Sequence, residues 1–249
     1  MRRANVPGLL VWLLLLLALL PGRWPALVVE GPWQTVAAAY DKISGNFAAS
    51  RRFPWPFVVR WLEESQGGRL LVAGCGDGRH VDTALGLGKF EEVLAMDLSG
   101  GMLQAARRRL GSRSTEVTYL QADTRQVPLP PASVEEVLSC AVLHHLPLNE
   151  SLKGLRELAR VLKPGGRLLA SCWDPRAKAV AKRGRPAEGA EDAFWVAWRC
   201  SDGSDVQRWY HLPSLERRTE YWSQLDLDLR RAELDGDNQV FEWVKVPAL

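Results

Sequence analysis

The stretch Val72-Ala73-Gly74-Cys75-Gly76-Asp77-Gly78 decides the reading of this chain. A buried-type strand, Arg69 to Ala73, runs into three alternating glycines, and a helix follows from His80 to Gly86. Glycines at that spacing let the backbone approach a ligand closely and take turns that a Cβ forbids. Taken alone, the same pattern also describes a plain glycine turn between strand and helix.

Two downstream carboxylates narrow the choice. Asp97 ends a second strand, Glu92 to Met96, where an acid can grip both hydroxyls of a ribose. Asp123 follows a third strand, Val117 to Gln121, where it can accept from an adenine amino group. Acids at the carboxyl ends of successive parallel strands converge on one crevice. A dinucleotide loop wants G-x-G-x-x-G, and here the third glycine comes one residue early. S-adenosylmethionine, which has no pyrophosphate to cradle, fits this set better.

Working outward, strand and helix alternate. Trp33 to Ala49 carries Val36, Tyr40, Ile43 and Phe47 at helical spacing. Arg52-Phe53-Pro54-Trp55-Pro56 breaks that helix before a short one from Phe57 to Glu64. Next come a helix from about Gly101 to Leu110, a strand from Val134 to Cys140, and an amphipathic helix from Leu152 to Leu162. Lys163-Pro164-Gly165-Gly166 stops that helix ahead of a strand from Arg167 to Cys172. The tail offers a helix near Pro213 to Leu225 and strand-like runs Leu227 to Leu234 and Val240 to Val246. The expected fold is α/β: a Rossmann-like, mostly parallel seven-stranded sheet with helices on both faces.

The 249 residues are 47% hydrophobic and 24% charged, an ordinary globular composition. Lys+Arg 32 against Asp+Glu 29 leaves +3, which excludes a wholesale polycation while allowing local basic patches. One such patch is expected as a basic linker over 175–190, with Arg176, Lys178, Lys182, Arg183 and Arg185; another is Arg107-Arg108-Arg109 with Arg113. The four cysteines, Cys75, Cys140, Cys172 and Cys200, form no C-x-x-C, and no metal site is expected. Met1-Arg2-Arg3 precedes an apolar run, Leu9 to Leu20, closed by Pro21-Gly22. The run has the form of a secretory signal, is short for a spanning helix, and lacks a good cleavage site. Residues 1–28 read as a hydrophobic extension, signal-like or anchor-like, and 29–249 as the working domain.

Gly74 to Gly78, Asp97-Leu98-Ser99, Asp123 and Leu162 to Gly166 together resemble the class I S-adenosylmethionine-dependent methyltransferases. More narrowly, the chain is similar to the tRNA wobble-uridine carboxymethyl methyltransferases, relatives of the methyltransferase domain fused to AlkB-type oxygenases. Four places carry the narrower resemblance: Tyr40 to Phe47 with Ser50-Arg51-Arg52-Phe53-Pro54-Trp55-Pro56; Ala141-Val142-Leu143-His144-His145-Leu146; Arg208-Trp209-Tyr210-His211; and Asp237-Asn238. The chain departs from the family at Phe53, where a lysine stands, at Asp192 to Trp198, where a proline is lost, and at Gln239, where a tryptophan stands.

The resemblance implies a cofactor site of Gly74, Cys75, Gly76, Gly78, Asp97, Leu98, Asp123 and Cys140. It implies esterification of a carboxymethyl group on the wobble uridine, with Arg51, His144, Arg208 and His211 orienting the carboxylate. A carboxylate with a pKa near 4 is already an anion at neutral pH and needs no general base. Trp55, Trp173, Trp198 and Asn238 are expected on the substrate side, the tryptophans stacking on a splayed base or else filling the core. Lys182, Arg183 and the Arg107 cluster are expected at phosphates, a solvated helix face being an equal reading for the Arg107 cluster. Cys75, Cys140 and Cys172 are expected as reduced thiols near the crevice. Partners implied are a tRNA anticodon stem-loop and a small zinc-binding activator subunit; the implied location is cytoplasmic or nuclear. The alternatives are a small-molecule or lipid methyltransferase tethered to a membrane through Leu9–Leu20, organelle targeting through residues 1–28, and a catalytically weak tRNA- or partner-binding paralogue.

Overall fold

The computed structural model describes residues 31–51 and 53–246; the apolar run Leu9–Leu20 and the rest of 1–28 lie outside them. A 3-10 turn, Pro32–Thr35, leads into α1 (Val36–Ser50) and α2 (Pro56–Glu63). The alternation then runs β1 (Gly68–Ala73), α3 (Arg79–Leu87), β2 (Phe90–Asp97), α4 (Gly100–Leu110), β3 (Val117–Gln121), β4 (Val134–Cys140), α5 (Leu148–Val161) and β5 (Leu162–Trp173). An insertion follows, α6 (Lys178–Arg183), β6 (Gly184–Pro186), β7 (Ala193–Arg199) and β8 (Asp205–His211). The chain returns through α7 (Leu215–Trp222), β9 (Asp228–Asp235) and β10 (Asn238–Val244).

The main sheet has seven strands in the order β3-β2-β1-β4-β5-β10-β9, parallel except for β10, which runs antiparallel to both neighbours. The expected α/β architecture is the one observed. Period-two burial shows why both faces carry helices. In β1, Leu70 and Val72 join the apolar cluster under α2, α3 and α4, while Leu71 and Ala73 join the one under α5 and α7. On α5, Leu155, Leu158 and Val161 are fully buried. At about 2 kcal/mol for each side chain, that stripe is what holds the helix to the sheet.

Two boundaries differ from expectation for identifiable reasons. β5 starts at Leu162 instead of Arg167, because the backbone of Lys245 exchanges hydrogen bonds with Gly165 (2.7 Å) and Gly166 (2.9 Å). The segment expected as a basic linker is α6 followed by β6, which pairs with β7. Its few apolar residues suffice: Val180 packs with Val196, Tyr210 and Leu212.

Candidate active site

From β1 the strands step outward through β2 and β3 on one side and from β4 through β5 on the other. The order reverses between β1 and β4, where open α/β sheets form their ligand crevice. A cavity of about 370 Å³ opens at the carboxyl ends of these strands. Its glycine wall is pinned to β2: the amides of Gly74 and Cys75 donate to the Met96 carbonyl at 2.7 and 2.9 Å. Gly76 has φ +55°, and a Cβ there would meet nothing within 4 Å, so the loop leaves open space on the cavity side. Gly78 does other work. It is not on the cavity wall, and its Cβ would come within 2.9 Å of Ala106. The expected cofactor contact is therefore a packing glycine that lets α3 and α4 approach.

Asp97 is fastened by two amides, Gly76 N–H to Oδ2 (2.8 Å) and Ser99 N–H to Oδ1 (2.9 Å). Burial pushes its carboxyl up to about 6, and those amides hold it back. Each oxygen keeps a further lone pair for a ribose hydroxyl. Asp123 lines the cavity, but Arg125 takes both its oxygens and also reaches Glu150 at 2.8 Å. An adenine amino group would share that carboxylate with Arg125. Leu98, Cys75 and Cys140 also line the cavity. Burial pushes the Cys140 thiol up to about 12, so it is neutral. Cys172 does not join them: on β5 it faces the α5 side with Leu168 and Ala170, away from the crevice. No cysteine is in a disulfide.

The helix α1 covers the cavity and is stapled to both cofactor loops. The Asp41 carboxylate accepts from the Ser99 hydroxyl and from the Gly101 amide (2.9 Å) at the start of α4. Arg109, in the last turn of α4, donates to the carbonyls of Ala48 (3.3 Å) and Arg51 (2.7 Å) at the end of α1. It also grips the Asp77 carboxylate and its carbonyl. The expectation for Arg109 is a phosphate contact or a solvated helix face; it is instead an internal clamp. Arg107 lies over Tyr119, and Arg113 pairs with Asp82 and Glu116, so the cluster is divided among neighbours.

Both histidines after β4 are neutral donors or acceptors with readable tautomers. His144 lines the cavity, and its Nδ1 accepts from the Trp173 amide (2.8 Å), which leaves its proton on Nε2. His145 Nδ1 meets the Trp209 carbonyl at 2.7 Å and must donate, so Nε2 accepts from the Tyr40 hydroxyl at 2.9 Å. Burial lowers both, His145 to about 3. Ala141, between β4 and these histidines, sits at φ +57°, a conformation that costs an alanine about 1 kcal/mol or more.

The insertion closes the cavity with Arg208, which is 3% exposed. Its guanidinium lies among the rings of Trp198 (5.1 Å), Tyr210 (5.3 Å), Tyr40 and Trp173 (both 5.9 Å). It has no carboxylate partner among the described residues, and its Nε lacks any hydrogen bond. Arg51 lies over Phe47 (5.2 Å) and Trp198 (5.7 Å) on the same wall. Trp173 stacks on Tyr210 at 5.0 Å, and Trp55 lines the far end under the guanidinium of Arg79.

Besides Gly78, three expected residues stay off the cavity wall. Trp198 stands behind the two arginines, packed with Phe47 and Val206. His211 stacks on Trp209 while its carbonyl accepts from the fully buried Arg218 (3.0 Å). Asn238 is buried at the head of β10, beside Gln239, which accepts from Arg218 (2.8 Å) and donates to Asp174 and Pro213. Gln239, where the family resemblance expects tryptophan, is thus a buried polar hub. Sequence reasoning passed over Asp41, Arg79, His80 and Tyr210. His80 stands two residues past the glycine loop, and both its ring nitrogens are buried without partners among the described residues.

This site fits S-adenosylmethionine: an open Gly76, a doubly anchored Asp97, Asp123 beyond it, and cations left over for carboxylates. Residues 71–170 match the methyltransferase domain model. A protein of Encephalitozoon cuniculi named as a methyltransferase is 33% identical over 180 residues, covering 71% of this chain and 79% of that protein. The tRNA (carboxymethyluridine(34)-5-O)-methyltransferase of Arabidopsis thaliana is 34% identical over 70% of this chain, which spans 38% of that protein. The malonyl-[acyl-carrier protein] O-methyltransferase of Serratia marcescens is 35% identical over 55% of this chain and 52% of its own. Among solved structures, the DhpI–SAM–HEP complex aligns with TM-score 0.66 at 18% identity over 87% of this chain and 99% of its own. A chain of the complex between the Haloferax volcanii Trm112 methyltransferase activator and a methyltransferase aligns with TM-score 0.65 at 14% identity, over 86% of this chain and 99% of its own. On its fold, its cofactor loops and these relatives, the chain belongs to the S-adenosylmethionine-dependent methyltransferases.

Proposed function

We propose that the chain methylates a carboxylate oxygen, and that the carboxylate is the carboxymethyl group of a wobble uridine in a tRNA anticodon. The observation that carries this reading is Arg208: a buried guanidinium without a carboxylate partner among the described residues, lining the same cavity as the cofactor loop. A buried cation lacking its counter-ion is costly, and an arriving carboxylate relieves that cost. The names of the Arabidopsis and Serratia relatives both describe O-methyl transfer on molecules that carry a carboxyl group. The nucleoside itself rests on the Arabidopsis name and on the motifs shared with that family.

When bound, S-adenosylmethionine supplies an electrophilic sulfonium methyl, which a carboxylate oxygen takes while the carbon–sulfur electron pair stays on sulfur. No proton moves, which accounts for two histidines held neutral. Arg208 and Arg51 orient the anion, and His144 donates its Nε2 proton without competing for the reacting lone pair. Trp55, Trp173 and Tyr210 exclude water and offer faces to a base. A small activator subunit, a cytoplasmic or nuclear location, and His211, Trp198 and Asn238 acting through the residues they pack against complete this reading. Among the described residues no helix is long and apolar enough to cross a membrane.

The test is incubation with labelled S-adenosylmethionine and tRNA bearing carboxymethyluridine, with and without an activator, read by nucleoside mass spectrometry. A methyl ester on the uridine is expected; its absence under both conditions overturns the tRNA assignment. Transfer to malonyl-type acids in the same assay selects the second reading, a small or carrier-bound acid, which the Serratia relative favours.

A further inference from the structure

The three-stranded sheet β6-β7-β8 has two faces with different chemistry. Strand alternation puts Val196, Trp198, Arg208 and Tyr210 on one face, toward α1 and the cavity. The paired residues Arg185↔Trp195, Ala197↔Gln207 and Arg199↔Asp205 occupy the other. At one end of that second face Trp33 covers Trp209 and Trp195. Beyond it a groove of about 390 Å³ lies open, lined by Lys182, Arg183, Arg185, Arg199, Asp205 and Gln207. Only Arg199 is neutralised, by Asp205 at 3.0 Å. Lys182, Arg183 and Arg185 are exposed and paired with no carboxylate among the described residues.

We propose that this groove holds the sugar–phosphate backbone of the RNA whose base enters the cavity; the assignment rests on the RNA reading above. Three uncompensated cations in a concave, polar channel suit a chain of phosphates better than a single carboxylate, and no apolar floor invites a protein side chain. The position matters equally. Arg208 reaches the cavity from the front of a sheet one residue layer thick, and the groove lies on its back. A stem-loop that splays one nucleotide around the sheet edge meets both. The contacts are sequence-independent and set register, while the cavity selects the base.

The experiment compares the full chain with its Lys182→Gln/Arg183→Gln/Arg185→Gln variant. Binding of an anticodon stem-loop RNA is measured by fluorescence anisotropy across a salt series. Methyl transfer is measured in parallel on a carboxymethyluridine trinucleotide too short to reach the groove. Loss of three phosphate contacts lowers the slope of log K against log salt by about 2 to 3. The variant should bind the stem-loop at least tenfold more weakly at low salt, yet methylate the trinucleotide and unfold thermally as the parent does. Unchanged binding and slope overturn the groove assignment while leaving the RNA reading intact. Stem-loop binding through the groove without methyl transfer to either RNA overturns the RNA-methylation reading instead. A parent chain that binds no stem-loop overturns the groove assignment as well.

Discussion

Arg109 and Asp77 form a charged pair beneath the glycine loop, with Asp77 2% exposed and Arg109 also holding the carbonyl of Arg51. Helices α1 and α4 advance side by side, since Asp41 meets Gly101 and Ala48 meets Arg109. Their carboxyl-terminal ends therefore sit together, each with a partial negative charge, and the guanidinium lies between them. Asp41 plays the opposite part at the amino-terminal end of α4. The pair ties the cofactor loop to the helix that carries Tyr40 and Arg51.

Arg109→Ala leaves Asp77 buried and unpaired, so unfolding by urea should show a loss of about 3 kcal/mol. Arg109→Lys should recover only part of it, because a point charge cannot serve the Asp77 carboxylate and the carbonyls of Ala48, Arg51 and Asp77 together. A loss below 1 kcal/mol would remove the clamp from the account.

Asp97 predicts a pH dependence of cofactor binding. Its carboxyl, raised to about 6 by burial, must be ionised to accept from two ribose hydroxyls. Affinity for S-adenosylmethionine, measured by calorimetry, should be flat above pH 7 and fall about tenfold per unit below 6. The same shift works in the opposite sense on the cofactor-free fold: the folded state binds the proton more tightly, so this group's contribution to stability declines as pH rises from about 4 to 6. In Asp97→Asn the binding titration should vanish along with most of the affinity.

Arg208→Met separates function from stability. Removing a buried cation with no counter-ion should raise the unfolding temperature of the cofactor-free chain. Methyl transfer should fall about 100-fold in kcat/KM, the value of a charge-assisted contact to the carboxylate, with cofactor affinity unchanged. A variant that keeps its activity would exclude Arg208 from carboxylate binding.

Gly76 and Gly78 should respond differently to alanine. At Gly78, φ +80° and the Ala106 contact combine strain with overpacking, for a stability loss of about 3 kcal/mol. At Gly76 the Cβ enters open space, so the cost is about 1 kcal/mol of backbone strain and the main loss falls on cofactor affinity. Unfolding and binding measurements on the two variants check the division.

Local sequence carried much of this protein. Apolar patterning along the chain placed the seven strands of the main sheet, because the central ones bury apolar side chains on both faces. The glycine loop, Asp97 and Asp123 were readable because parallel strands deliver their carboxyl ends to one crevice whatever the detail of packing. What spacing along the chain does not encode is which long side chain turns inward. Arg107, Arg108 and Arg109 look alike in sequence, yet one covers a tyrosine and another joins two helices to the cofactor loop, since only α4's register against α1 separates them. The segment 175–190 has the composition of a linker, and the strand that recruits part of it, β7, comes after it. Gly78, His211, Trp198 and Asn238 left the cavity wall for the same reason: neighbouring elements distant in sequence decide what each residue faces. The sequence by itself determined the sheet, the crevice and the cofactor class; the tertiary structure decided that Arg208 would stand buried among aromatic rings with no carboxylate partner among the described residues, the feature on which the proposed chemistry turns.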